Sequence, residues 1–219
     1  HGGRLYLRLP DNVDPNTAQV EVAALAGDRD HDVGGVARVH LQAAVELSPK
    51  DAQARLYLAQ LLHQQGRNNE AFEQYKAVIQ TNPAMSDAWM GIARMLFDNG
   101  QLADALKVLE NAGKQLPHDI RIMHALARMY AGSPDLSLRD AEKAKPLAMR
   151  AWQEQPTLGH ALTVAMVLGE AGECLEAAII LEGAIKQQPE QIRKTWGEAA
   201  KKNIDYYLEN QECRNPKGL

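Results

Sequence analysis

Five prolines, Pro49, Pro83, Pro117, Pro156 and Pro189, each follow an apolar stretch, and they stand 34, 34, 39 and 33 residues apart. A fixed period of this size means a stack of small units, each needing its neighbours to bury its apolar face. A small residue precedes every proline by 12 positions, at Ala37, Ala71, Ala105, Ala144 and Ala177. Four residues further on stand Leu41, Tyr75, Leu109 and Leu181, with Ala148 the exception before Pro156. Gly66, Gly100 and Gly172 punctuate the stretches between. Alanine lets two helix backbones approach closely, glycine supplies the turn, and proline closes a helix it cannot continue.

Composition agrees with helices and opposes sheet. Aromatic residues are only 5% of the chain against 45% hydrophobic overall, whereas strands draw on aromatic and β-branched side chains. With 24% charged residues the chain has enough apolar surface to build a core. A net charge of -4 and no basic block argue against nucleic acid as a partner. No apolar run reaches the ~20 residues needed to cross a bilayer. The sequence opens His1-Gly2-Gly3 rather than on Met, which suggests a processed or trimmed chain, with any signal peptide or membrane anchor lying before His1.

The period, the alanines and the glycine breaks resemble the tetratricopeptide repeat (TPR) family over residues 34–189. The first-helix element of that family is matched in part by Trp89-x-x-Ile92-Ala93, Arg55-x-x-Leu58-Ala59 and Met123-x-x-Leu126-Ala127, with Ala where the family has Gly. Ala keeps the contact small. The expected fold is all-α: a superhelix of antiparallel helix hairpins with a C-terminal capping helix. Helix pairs are expected at 51–64 and 68–80, 85–98 and 102–114, 119–131 and 139–153, and 158–170 and 174–187. Residues 34–47 read as the second helix of an earlier unit whose first helix, about 15–26, is degenerate. Three regions follow: an N-terminal arm with that degenerate helix (1–33), the array of one partial and four full repeats (34–189), and a capping helix with its tail (190–219). In the last, Ile192, Trp196, Ala200, Ile204 and Tyr207 recur at three- and four-residue steps, an apolar stripe suited to covering the end of the array. The third unit is longer by a surplus in Ala131–Arg139, read as a loop and either a contact surface or a tolerated surface insertion.

Signals for chemistry are sparse. None of the seven histidines stands at a metal-ligand spacing, and Asp28 to Gly35 fails as a calcium loop because Val33 and Val39 occupy the positions that need Gly and Glu. There is no phosphate-binding glycine loop and no nucleophile elbow. The chain is therefore expected to be a non-enzyme without cofactor or metal. Cys174 and Cys213 are expected near the same end of the helical stack, either bridged, which implies an oxidising compartment, or as two free thiols.

The resemblance implies a groove lined by first helices that receives a client protein or peptide segment. By register it would present Gln60, His63 and Gln64, then Met90, Arg94 and Phe97, then Arg121, His124 and Arg128, and finally Leu162 and Met166. Methionine and Phe suit apolar anchors, and Arg suits carboxylates. The Lys and Asn pair with which one subclass grips chaperone tails is absent: the matching positions are Leu56 and Gln60, Met90 and Arg94, His124 and Arg128. The opening Arg4-Leu-Tyr-Leu-Arg-Leu-Pro10 and the layout also resemble TPR proteins of cytochrome c maturation, which implies an apocytochrome-binding chaperone supplying no haem ligand. An assembly factor for pili, secretion or envelope complexes, and a regulatory domain cut from a larger enzyme, are the alternatives. The expected location is periplasmic, or membrane-anchored and facing the periplasm, with the cytoplasm as the alternative. Leu5, Leu7 and Leu9 alternate, so the N-terminal arm is also a candidate to fill the groove in cis.

Overall fold

In a computed structural model, residues 33–191 are described together with Arg193, Ile204, Asp205 and Cys213. Every regular element among them is helical. The order is α1 (Val33–Leu47), α2 (Ala52–Gln64), α3 (Asn68–Thr81), α4 (Ser86–Asp98), α5 (Leu102–Gln115), α6 (Ile120–Gly132), a 3-10 turn at Leu136–Leu138, α7 (Ala141–Glu154), α8 (Leu158–Glu170) and α9 (Cys174–Lys186). The expected helix ends agree to within two residues. The N-terminal arm and the degenerate helix expected at 15–26 lie outside the described residues. So does most of the expected cap, although Gln191, Arg193, Ile204 and Asp205 are helical and Ile204 packs against apolar core.

Local chemistry sets the boundaries. Asp51, Asp119 and Asp140 accept hydrogen bonds from backbone N–H groups two or three residues ahead, opening α2, α6 and α7, and Thr157 does the same for α8. The three punctuating glycines hold φ of 73°, 74° and 82° at Gly66, Gly100 and Gly172. There the N–H of Gly66 donates to His63 O and that of Arg67 to Leu62 O, and the same paired bonds recur at Gly100 with Gln101 and at Gly172 with Glu173. This ending needs a left-handed residue just past the helix, which only glycine adopts at little cost.

The residues fall into two compact units, His1–Asn82 and Pro83–Leu219. In the first, α2 packs on both α1 and α3. Its core holds Leu41, Leu56, Leu58, Ala59, Leu62, Ala71, Tyr75 and Val78. In the second, three hairpins follow one another, α4 with α5, α6 with α7 and α8 with α9, and α6 also touches α8. Four of the five fixed alanines, Ala71, Ala105, Ala144 and Ala177, are at most 1% exposed, while Ala37 is half-buried.

The surplus in the third unit is built into the second unit's interior. Ser133 is fully buried, and Arg139 at the far end of the insertion turns inward with its side chain 0% exposed. Its Nη1 donates to Glu170 Oε2 at 2.9 Å and its Nε to Ser133 O at 2.7 Å. The insertion thus ties the loop between α6 and α7 to the C-terminal end of α8.

Candidate functional site

Each first helix repeats one register, in which the residue after the small alanine and the residue three before it share a face. In the first unit α2 places Gln60 and His63, both half-buried, and exposed Gln64. His63 Nδ1 donates to Asn68 Oδ1 at 3.1 Å, which ties that ring to the start of α3.

The second unit carries the longer row. On α4, Met90 and Phe97 are half-buried and pack their inner sides on the core, while Arg94 between them keeps 76% of its side chain exposed. The Arg94 contact with Asp98 is long, 3.7 Å, and both groups are solvated, so it restrains the guanidinium weakly. On α8, Leu162 and Met166 are half-buried against the same core. On α6, Arg128 stands exposed at the register position of Arg94.

The other two α6 residues are engaged within the protein. Arg121 Nη1 donates to Asp87 Oδ1 at 2.6 Å, its Nη2 contacts Ser86 Oγ, and Asp119 lies 3.8 Å away. It therefore straps α6 to α4. His124 Nε2 lies 2.6 Å from Thr163 Oγ1, and the Thr163 hydroxyl donates to Gly159 O at 3.1 Å. The imidazole must then be the donor, so His124 carries its proton on Nε2. Its ring meets that of His160 edge to face, 4.5 Å between centroids at 72°. His160 is buried, and its Nδ1 donates to Gln155 O at 2.7 Å. Burial, with His160 and Arg128 adding positive charge, lowers the His124 pKa to about 4. The ring is neutral at pH 7 and forms part of the α6–α8 seam. Sequence reasoning missed its partners because the contact spans the irregular third unit, where the 34-residue offset fails. Arg139 was missed for the same reason: a charged residue in an insertion reads as surface.

Cys174 and Cys213 are joined, with an S–S distance of 2.08 Å and Cα atoms 5.6 Å apart. Cys213 is 1% exposed, and its sulfur lies 3.5 Å from Gly169 O, so the C-terminal segment is fastened where α8 turns into α9. No group of three or more His, Cys, Asp or Glu is placed to hold a metal ion among the described residues. No helix among them is long and apolar enough to cross a membrane.

Helix hairpins repeated in one register, each first helix keeping a row of side chains partly in solvent, have the architecture of a protein-interaction scaffold. The family comparisons agree. Two profiles, each described as tetratricopeptide repeat, match residues 62–130 and 35–85. Among solved structures the chain is similar to YrrB, described as a TPR protein with an unusual peptide-binding site, at 18% identity and TM-score 0.59, covering 80% of this chain and 86% of that one. It is also similar to TTC0263, a thermophilic TPR protein in Thermus thermophilus, at 21% identity and TM-score 0.52, covering 81% and 91%. No curated protein matches. Residues 35–130 thus match the tetratricopeptide repeat family, solved structures described as TPR proteins share the fold over 80% and 81% of the chain, and none of these matches supports the resemblance to cytochrome c maturation proteins.

Proposed function

We propose that the row on α4, α6 and α8 binds an extended or helical client segment that carries apolar anchors beside a carboxylate, and that the chain is a binding protein rather than an enzyme. One observation carries this reading: Met90, Phe97, Leu162 and Met166 are left half-exposed on the same row as the solvated Arg94 and Arg128, while the only acid within four positions of either cation is Asp98. Met and Phe adapt to varied apolar shapes, and two guanidiniums select a negative charge. A peptide-binding site described for YrrB, a structural neighbour, supports the same use of the fold. The Cys174–Cys213 bridge supports an oxidising location such as the periplasm.

The test is fluorescence anisotropy with a labelled peptide of interspersed Leu and Glu. Arg94→Ala with Arg128→Ala should weaken binding about 10-fold, equivalent to roughly 1.4 kcal/mol, with the effect shrinking in high salt. Unchanged affinity at low salt would sink the assignment of the cations.

A further inference from the structure

His124 occupies on α6 the register position that Met90 holds on α4 and Leu162 on α8, each three residues before a small alanine. Where its counterparts are apolar, the row here carries an imidazole, one turn before Arg128 and on the same helix face. The ring keeps part of its surface in solvent and the guanidinium is exposed. This imidazole is built to take a second proton without loosening the seam it helps to form. Nε2 already carries the proton shared with Thr163 Oγ1, so a further proton goes to Nδ1 and the bond to α8 is kept. The facing His160 is fixed independently, through its own Nδ1 to Gln155 O.

What keeps the second proton off is burial first, then the positive fields of His160 on α8 and Arg128 on α6. The other charged groups turned towards α6 are engaged with partners of their own. Asp87 of α4 is held by Arg121, Glu110 of α5 accepts from the Tyr130 hydroxyl, and Glu170 of α8 pairs with Arg139. From α7, Lys143 lies over the Tyr130 ring. The row therefore holds an imidazole whose counter-charge has to come from outside the chain.

We propose that His124 is a switchable third cation of the client row, protonated when an acidic group of the client pairs with Arg128. This rests on the client row proposed above. The acid cancels the guanidinium's field at the ring and adds negative charge beside it, and both effects favour imidazolium. The sign follows by linkage. In the free chain His124 titrates at about 4, and in the complex it titrates higher. Affinity then rises as pH falls from neutral, and levels off near 4, where the free chain takes up the same proton. At pH 7 two cations recognise the client, and in mildly acidic surroundings three do.

The probe is a labelled peptide of interspersed Leu and cysteic acid, whose sulfonates keep their charge throughout and so exclude titration of the peptide itself. Anisotropy should show binding about 4- to 10-fold tighter at pH 5 than at pH 7, a gain that His124→Gln abolishes. Should that variant disturb the seam, the parent chain still answers: the NMR titration midpoint of the His124 Cε1–H should move up when peptide is bound. A midpoint that stays in place while the peptide binds, or a gain at pH 5 that survives His124→Gln, overturns the switch and leaves the client row standing. Absence of binding at both pH values overturns the row and the switch together.

Discussion

Replacing Glu170 with Ala removes the carboxylate that pairs with the buried Arg139 guanidinium. The two side chains are 0% and 4% exposed, so solvent does not replace the lost carboxylate. Removing one partner of a buried pair is destabilising by ~3–5 kcal/mol. The Nε bond to Ser133 O survives the substitution, which places the expected loss at the lower end, about 3 kcal/mol. Replacing both members of the pair, Arg139→Met with Glu170→Leu, removes the buried charge together with its carboxylate and should recover most of that loss. Denaturant unfolding followed by tryptophan fluorescence isolates the relevant unit, because Trp89, Trp152 and Trp196 all lie after Pro83. A Glu170→Ala loss below about 0.5 kcal/mol, within the range of ordinary surface substitutions, would refute the claim that the insertion is pinned through this pair. A double variant no more stable than the single one would refute the explanation by burial of the Arg139 charge.

Three further outcomes follow from the same geometry. Gly100→Ala has open space around its new methyl group but forces φ of 74°, so it should destabilise by ~1–2 kcal/mol, measured in the same fluorescence assay. His124, held near pKa 4, binds its proton less readily when folded than when unfolded, so stability should fall as pH drops from about 6.5 to about 4 and level off below. Because the ring is only half-buried, the full gap is discounted to roughly 1–2 kcal/mol; His124→Gln should flatten that slope, and an unchanged slope would contradict the assignment. Cys174→Ser with Cys213→Ser opens a 39-residue closure and should lower stability by up to about 4 kcal/mol, an upper bound from chain entropy, against no change if the bridge is absent in solution.

The hairpins were legible because Ala, Gly and Pro each act through local chemistry at fixed offsets. Gly66, Gly100 and Gly172 are read correctly from sequence because a left-handed residue is required there whatever surrounds it. The candidate row was legible as a register and not as an environment. Met90, Arg94, Phe97 and Arg128 stand on the first-helix row with part of their surface in solvent. Arg121 and His124 share that register but spend their polar atoms on Asp87 and Thr163, partners 34 and 39 residues away. Such pairings depend on how neighbouring hairpins meet, which periodicity does not specify. The inward turn of Arg139 likewise depends on an insertion that breaks the period.

The most direct test of a client row on α4, α6 and α8 is chemical-shift mapping with the labelled Leu and Glu peptide bound at saturation. The account predicts perturbations centred on Met90, Arg94, Phe97, Arg128, Leu162 and Met166. Perturbations confined to the exposed faces of α5, α7 and α9, with the first-helix row silent, would contradict it.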